Sequence, residues 1–212
     1  MYVDICSGIK LSRAERRIVV EKESISPEDE LALKFASALE KFGVEYAVVA
    51  GYIAILFGRA RRSDDVDFIA KQVSEEDFLL LCFSLKEDFE ILQCSVEDPA
   101  SVRRAYREYL LKGYALRFAL REALIPNVEF KFARTELQKY AIDHAYQVIL
   151  VNRGAIRIAP LELQIAYKLK LGSEKDISDA VFLYALFEEA LSEEELERWA
   201  RELRVDLSPL KS

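Results

Sequence analysis

Leu31, Phe35, Ala38 and Phe42 recur at helical spacing, and the stretch before them, Ser26-Pro27-Glu28-Asp29, is a helix start. Ser26 is the cap, Pro27 suits the first turn, and the acids suit the positive end of the dipole. Gly43 supplies the stop, so the pattern predicts a helix over this stretch that packs on a sheet. Tyr46 to Ala50 is a short apolar run that breaks at Gly51, resumes from Tyr52 to Phe57, and breaks again at Gly58. After a basic, polar tract, Asp65, Val66, Asp67, Phe68 and Ile69 alternate in character. Successive strand residues face opposite ways, so Asp65 and Asp67 share one face while Val66 and Phe68 point to the core.

Ser74-Glu75-Glu76-Asp77 opens a second helix through Leu85, and a strand is expected near Phe89 to Gln93. Asp98-Pro99 starts a helix to about Lys112, closed by Gly113. Tyr114 to Leu120 and Val128 to Ala133 read as strands, with a turn at Ile125-Pro126-Asn127 between them. Thr135-Glu136 begins a helix through Ala145. Val148 to Val151 and Ala155 to Ala159 flank Asn152-Arg153-Gly154 as a hairpin. From Pro160 the chain reads as helical to about Arg204, with Ser192 and Glu195 placed as a capping box. In the first 24 residues only Ile18-Val19-Val20 has strand character. The expected fold is α+β: a small mixed β-sheet flanked by helices within residues 1–159, then a helical carboxy-terminal part, 160–212.

Composition narrows the class. The 212 residues are 51% hydrophobic and 32% charged, which suits a globular protein with a substantial core. A net charge of −7 argues against a general nucleic-acid coat. Arg103, Arg104 and Arg107 still lie within about a turn of one helix, either to steer a polyanion such as RNA or to be balanced by acids such as Glu108. Arg13, Arg16 and Arg17 read as a solvated face. No run of eighteen apolar residues occurs and the start MYVDICSGIK has no basic-then-apolar leader, so neither a membrane span nor a signal peptide is expected, and the location is expected to be cytoplasmic. Cys6, Cys82 and Cys94 lack metal-ligand spacing and read as reduced and structural. His144 is the only histidine, so a Ser-His-Asp triad or a histidine-rich metal site would have to use it; a structural role is expected instead.

The chemistry lies in Asp65 and Asp67. Two carboxylates that close repel unless a cation lies between them, and hard ions such as Mg²⁺ take such oxygen pairs. Upstream, a strand running through Gly51 into a helix offers backbone N–H groups for a phosphate. Val49, Ala50 and Gly51, followed after thirteen residues by Asp65-Val66-Asp67, resemble the signature of the nucleotidyltransferase superfamily. The tract Gly58-Arg59-Ala60-Arg61-Arg62-Ser63-Asp64-Asp65 is similar to the form G-x-x-R-x-[ST]-x-D of the branch with minimal nucleotidyltransferases and abortive-infection type toxins. Ala50 stands where that family usually has its first glycine. The resemblance runs from about Val44 to Ala180.

That resemblance implies a nucleotidyltransferase fold and metal-dependent transfer of a nucleoside monophosphate from a nucleoside triphosphate to a hydroxyl on an RNA end, a protein or a small molecule. Asp65, Asp67 and a third carboxylate would hold two Mg²⁺ ions. Glu129, on one face of its strand with Lys131, is the candidate third ligand, with a Glu129–Lys131 ion pair as the alternative. Gly51, Gly58, Arg61 and Ser63 would serve the nucleotide. Lys168, followed by Lys175-Asp176 and Asp179, matches a family lysine that faces the triphosphate; without the resemblance it reads as a solvated helix residue. The other reading of the fold is a module that no longer catalyses and binds a partner in antitoxin-like fashion.

Overall fold

The structure is a computed structural model that describes residues 2–6, 8–121 and 123–211. The strands are β1 (Val3–Cys6), β2 (Ile9–Ser12), β3 (Arg17–Val20), β4 (Tyr46–Val49), β5 (Asp65–Ala70), β6 (Phe89–Ile91), β7 (Leu116–Leu120), β8 (Ala123–Phe132), β9 (Tyr146–Leu150) and β10 (Gly154–Ile158). Among the described residues they form one mixed sheet in the order β1-β2-β3-β9-β10-β4-β5-β8-β7-β6. Among the described residues eight α-helices accompany it: α1 (Pro27–Lys41), α2 (Gly51–Leu56), α3 (Glu75–Leu85), α4 (Pro99–Glu108), α5 (Glu136–Asp143), α6 (Leu161–Leu171), α7 (Glu174–Phe187) and α8 (Glu193–Leu203). No helix among the described residues is long and apolar enough to cross a membrane.

The capping box at α1 forms as its sequence dictates: the Asp29 N–H donates to Ser26 Oγ at 3.1 Å and the Ser26 N–H returns to the Asp29 carboxylate at 3.0 Å. That start aims Phe35 into the sheet, where its ring lies 5.1 Å from Phe68, 5.0 Å from Phe118 and 5.7 Å from Phe130. This aromatic cluster covers the Val66 and Phe68 face of β5, and truncating Phe35 to alanine should cost about 3–5 kcal/mol.

The mixed sheet expected from the sequence is present and reaches further than the motif region. β1, β2 and β3 form an antiparallel meander that joins β9 in parallel, where only Ile18 to Val20 signalled a strand. The expected turn at Ile125-Pro126-Asn127 is corrected: these residues lie inside β8. The β7–β8 register shifts between Ala119, opposite Asn127, and Leu120, opposite Ala123, so Pro126 sits in an irregularity where its missing N–H breaks no regular ladder. The helix from Pro99 ends at Glu108 and continues to Lys112 only as a 3₁₀ turn. α5 stops at Asp143 because β9 begins at Tyr146.

Candidate active site

β5 lies between β4 and β8, and its register sets Asp67 opposite Val49 on one side and Glu129 on the other, with Asp65 opposite Asn127. Val66 and Phe68 are fully buried, whereas Asp65 and Asp67 keep partial exposure on the opposite face. The Asp67 carboxyl is pushed up to about 6: burial does most of this, Asp65 and Glu129 add repulsion, and Lys131 and Lys168 oppose it. Asp65 accepts a hydrogen bond from Ser63 Oγ at 3.2 Å, and the Ser63 N–H donates to Glu28 at 3.3 Å. Glu28 and Asp29 are therefore more than dipole-compatible acids. Asp29 is buried and accepts from Lys22 and from the Tyr52 hydroxyl, both at 2.7 Å, which ties α2 to α1.

The turn from β4 into α2 carries the departure seen in the sequence. Ala50 has φ 62° and ψ −137°, a region that favours glycine. Gln164 of α6 brackets that peptide: its Nε2 donates to the Ala50 carbonyl at 2.8 Å and its Oε1 accepts the Ala50 N–H at 3.3 Å. Gly51 makes room for a close approach. A Cβ there would stand 2.8 Å from Arg61 Nη2, which donates to the Gly51 carbonyl at 2.9 Å.

Arg61 also forks onto Asp179 of α7, at 3.1 and 2.7 Å. Arg59 meets the same carboxylate at 2.9 Å and Lys168 at 2.7 Å, with Asp176 2.9 Å from Lys168. Burial alone would raise the Asp179 carboxyl, but hydrogen bonds from Arg61 and Lys168 outweigh it and hold it low. Lys168 is 1% exposed, so it is no solvated helix residue; it is locked in the seam between α6 and α7. Three cations face two carboxylates here, leaving a surplus of positive charge behind Gly51. Gly58, at φ +103°, ends the α2 turn and leads into this arginine tract.

Glu129 is gripped by Arg117 of β7, whose Nε lies 2.9 Å away. Lys131 lies 3.8 Å from Asp67, so both basic partners differ from the expected Glu129–Lys131 pair. Among the described residues no three His, Cys, Asp or Glu side chains are gathered to hold a metal ion. The pair that fits a hard divalent cation is Asp65 and Asp67, which share a face, repel one another and keep oxygen donors accessible. Arg117 holds Glu129 through Oε1, so its grip competes with a place for Glu129 beside them.

A cavity of about 540 Å³ opens beside Asp67 between the sheet, α5 and α6. Asp67 and Lys131 form its charged floor, Leu137, Leu163, Tyr167 and Leu171 its walls, and Gln164 its edge toward Ala50. The sequence motifs did not signal Arg117 or Gln164, because each acts through a strand or helix partner that only folding supplies.

Other candidates fall away from this cleft. Arg103 and Arg107 are bonded to Glu75 and Glu76 of α3, whereas Glu108 pairs with Lys112, so the balancing acids come from α3 and not from Glu108. His144 stacks on Tyr140 with ring centroids 3.8 Å apart and serves as the last residue of α5's cap. Arg13 is exposed, as expected of a solvated face, and also reaches the buried Glu162 of α6 at 2.6 Å. Burial pushes both the Cys82 and Cys94 thiols up, consistent with inert side chains.

No protein-family model matches the chain, and no curated protein matches it. Solved structures do resemble it. An antigenic nucleotidyltransferase-like protein from Paracoccidioides brasiliensis aligns over 86% of this chain and 93% of its own, with 19% identity and a TM-score of 0.52. The antibiotic-resistance factor ANT(2'')-Ia aligns over 81% of this chain and 88% of its own, with 12% identity and a TM-score of 0.50. At these identities the likeness establishes the fold: this chain has a nucleotidyltransferase-like fold.

Proposed function

We propose that the protein is a metal-dependent nucleotidyltransferase that moves a nucleoside monophosphate from a nucleoside triphosphate to a hydroxyl acceptor. The observation that carries the proposal is the placement of Asp65 and Asp67 on one face of β5, with Asp67 lining a cavity, in a fold whose solved examples include nucleotidyltransferase-like proteins. Mg²⁺ held by Asp65, Asp67 and Glu129 would supply Lewis acidity for the acceptor hydroxyl and neutralise charge on the departing pyrophosphate. Ser63 orients Asp65. Gly51 leaves room for Arg61, which holds the turn, while the surplus charge of Arg59, Arg61 and Lys168 favours a triphosphate on that side of the pair. Arg61 thus acts by positioning Gly51 and by its field, since Asp179 already occupies its fork. The Gly58–Asp65 tract supports placement in the minimal nucleotidyltransferase branch.

Incubation with α-labelled nucleoside triphosphates and Mg²⁺ should release labelled product with pyrophosphate. Asp65→Asn or Asp67→Asn should lower the rate on the order of 10²–10³-fold, the scale typical for loss of one charge-stabilising group. Full activity in either variant would remove these residues from the reaction.

Two observations favour a second reading, a binding module without catalysis: the alanine in a glycine conformation at position 50, and the Arg117 grip on Glu129. Absence of binding to all four triphosphates at millimolar Mg²⁺ would support it. An RNA acceptor draws on Arg103, Arg104 and Arg107, and pairing of the first and last with Glu75 and Glu76 weighs against that choice.

A further inference from the structure

We infer that the cavity beside Asp67 is the acceptor pocket, and that it takes a hydroxyl compound with an apolar, uncharged or anionic body rather than a polycation. The inference rests on the nucleotidyltransferase reading and adds the class of molecule on its receiving end.

β4 and β5 are antiparallel with Val49 opposite Asp67, so the chain continuing through Gly51 runs toward the Asp65 end of β5. The cavity starts beside Val49 and Ala50 and extends past Asp67 the other way, toward Ile69 and Lys131. Transfer requires the acceptor oxygen to attack the α-phosphorus in line with the leaving group. A pyrophosphate drawn to the glycine turn and its surplus positive charge puts the attacking hydroxyl over Asp67. The acceptor O–P bond forms as the bond to the β-phosphate oxygen breaks; pyrophosphate departs with that electron pair, and the hydroxyl proton is released to solvent.

At about 540 Å³ the cavity has the size of a small-molecule site. Tyr167 is 40% and Leu171 51% exposed, large apolar side chains left open on α6 at the cavity wall. The only carboxylate among the lining residues is Asp67, already 3.8 Å from Lys131. A polycation would find nothing to neutralise it. Once Asp67 engages a divalent cation, Lys131 loses its carboxylate partner, and the other polar lining residues, Thr135, Gln138 and Gln164, are uncharged, which favours an anionic or neutral guest.

The test uses 8-anilinonaphthalene-1-sulfonate, an anionic apolar fluorophore, with the full chain and Mg²⁺. Saturable binding at one site should be displaced by 2-naphthol and left in place by kanamycin, a polycation. Leu171→Glu, at an exposed position that tolerates charge, should weaken the dye at least about tenfold. Lys131→Met should weaken the dye while leaving 2-naphthol affinity in place. Dye binding indifferent to Leu171→Glu, or displaced by kanamycin as readily as by 2-naphthol, overturns the inference. Supplied with α-labelled triphosphate, the protein should label 2-naphthol and spare kanamycin; labelling of kanamycin alone overturns the acceptor class while upholding the transferase. No labelling of any acceptor, with dye binding at the wall intact, overturns the transferase reading and not the pocket.

Discussion

Ala50 and Asp67 are two residues whose local energetics run against stability. Ala50 occupies a backbone region that costs a non-glycine residue about 1–3 kcal/mol, of which glycine's greater unfolded freedom takes back about 0.5–1. Ala50→Gly should therefore raise stability by about 1 kcal/mol, seen as a melting temperature a few degrees higher; a lower one would show that the Gln164 bracket, not glycine geometry, dictates the turn. Asp67 makes a pH prediction. Its carboxyl rises from an ordinary 3.8 to about 6 in the folded chain, so the native state binds more protons than the unfolded one between those values. Stability from this group falls as pH rises through that window, by about 3 kcal/mol at most. Asp67→Asn should be neutral near pH 4 and stabilising at pH 7.5, checked by thermal melts at both pH values; a variant no more stable at the higher pH contradicts the strain.

At the scale of elements, the seam of α6 and α7 fixes the motif-bearing loop. Asp179 gathers Arg59, Arg61 and Lys168, so Asp179→Asn leaves buried cations short of a partner and should cost about 3–5 kcal/mol by denaturant titration. A cost below 1 kcal/mol would mean the seam is screened by solvent. Caps and alternation made the elements around it legible: Ser26, Ser74, Asp98, Thr135 and Ser192 all accept a backbone N–H where the sequence placed helix starts. The meander was less legible because β1 has no fully buried residue and so leaves no hydrophobic signature. Pro126 misled because a proline reads as a turn unless a strand irregularity is there to receive it. Arg117 and Gln164 were invisible for want of any local pattern; each meets its partner across a strand pair or from a distant helix.

On the scale of the whole molecule, one long sheet carries aromatic packing on one face and paired carboxylates beside a cavity on the other. The carboxylate pair was legible because period-two alternation assigns faces without tertiary knowledge. Its environment was not, since Lys131, Lys168 and Glu129 converge on Asp67 only through β8 and α6. A site that stores repulsion should relax when a cation arrives, so Mg²⁺ with a triphosphate at a hundred times its Kd should add about 2.7 kcal/mol of stability.

The central claim, that Asp65 and Asp67 grip a metal and through it a nucleotide, is tested most directly by calorimetric titration of nucleoside triphosphates into the wild-type chain and into Asp65→Asn, each with and without Mg²⁺. The account predicts one-site binding that requires Mg²⁺ in the wild type and is lost in the variant. Binding that persists without the metal, or survives intact in Asp65→Asn, would contradict it.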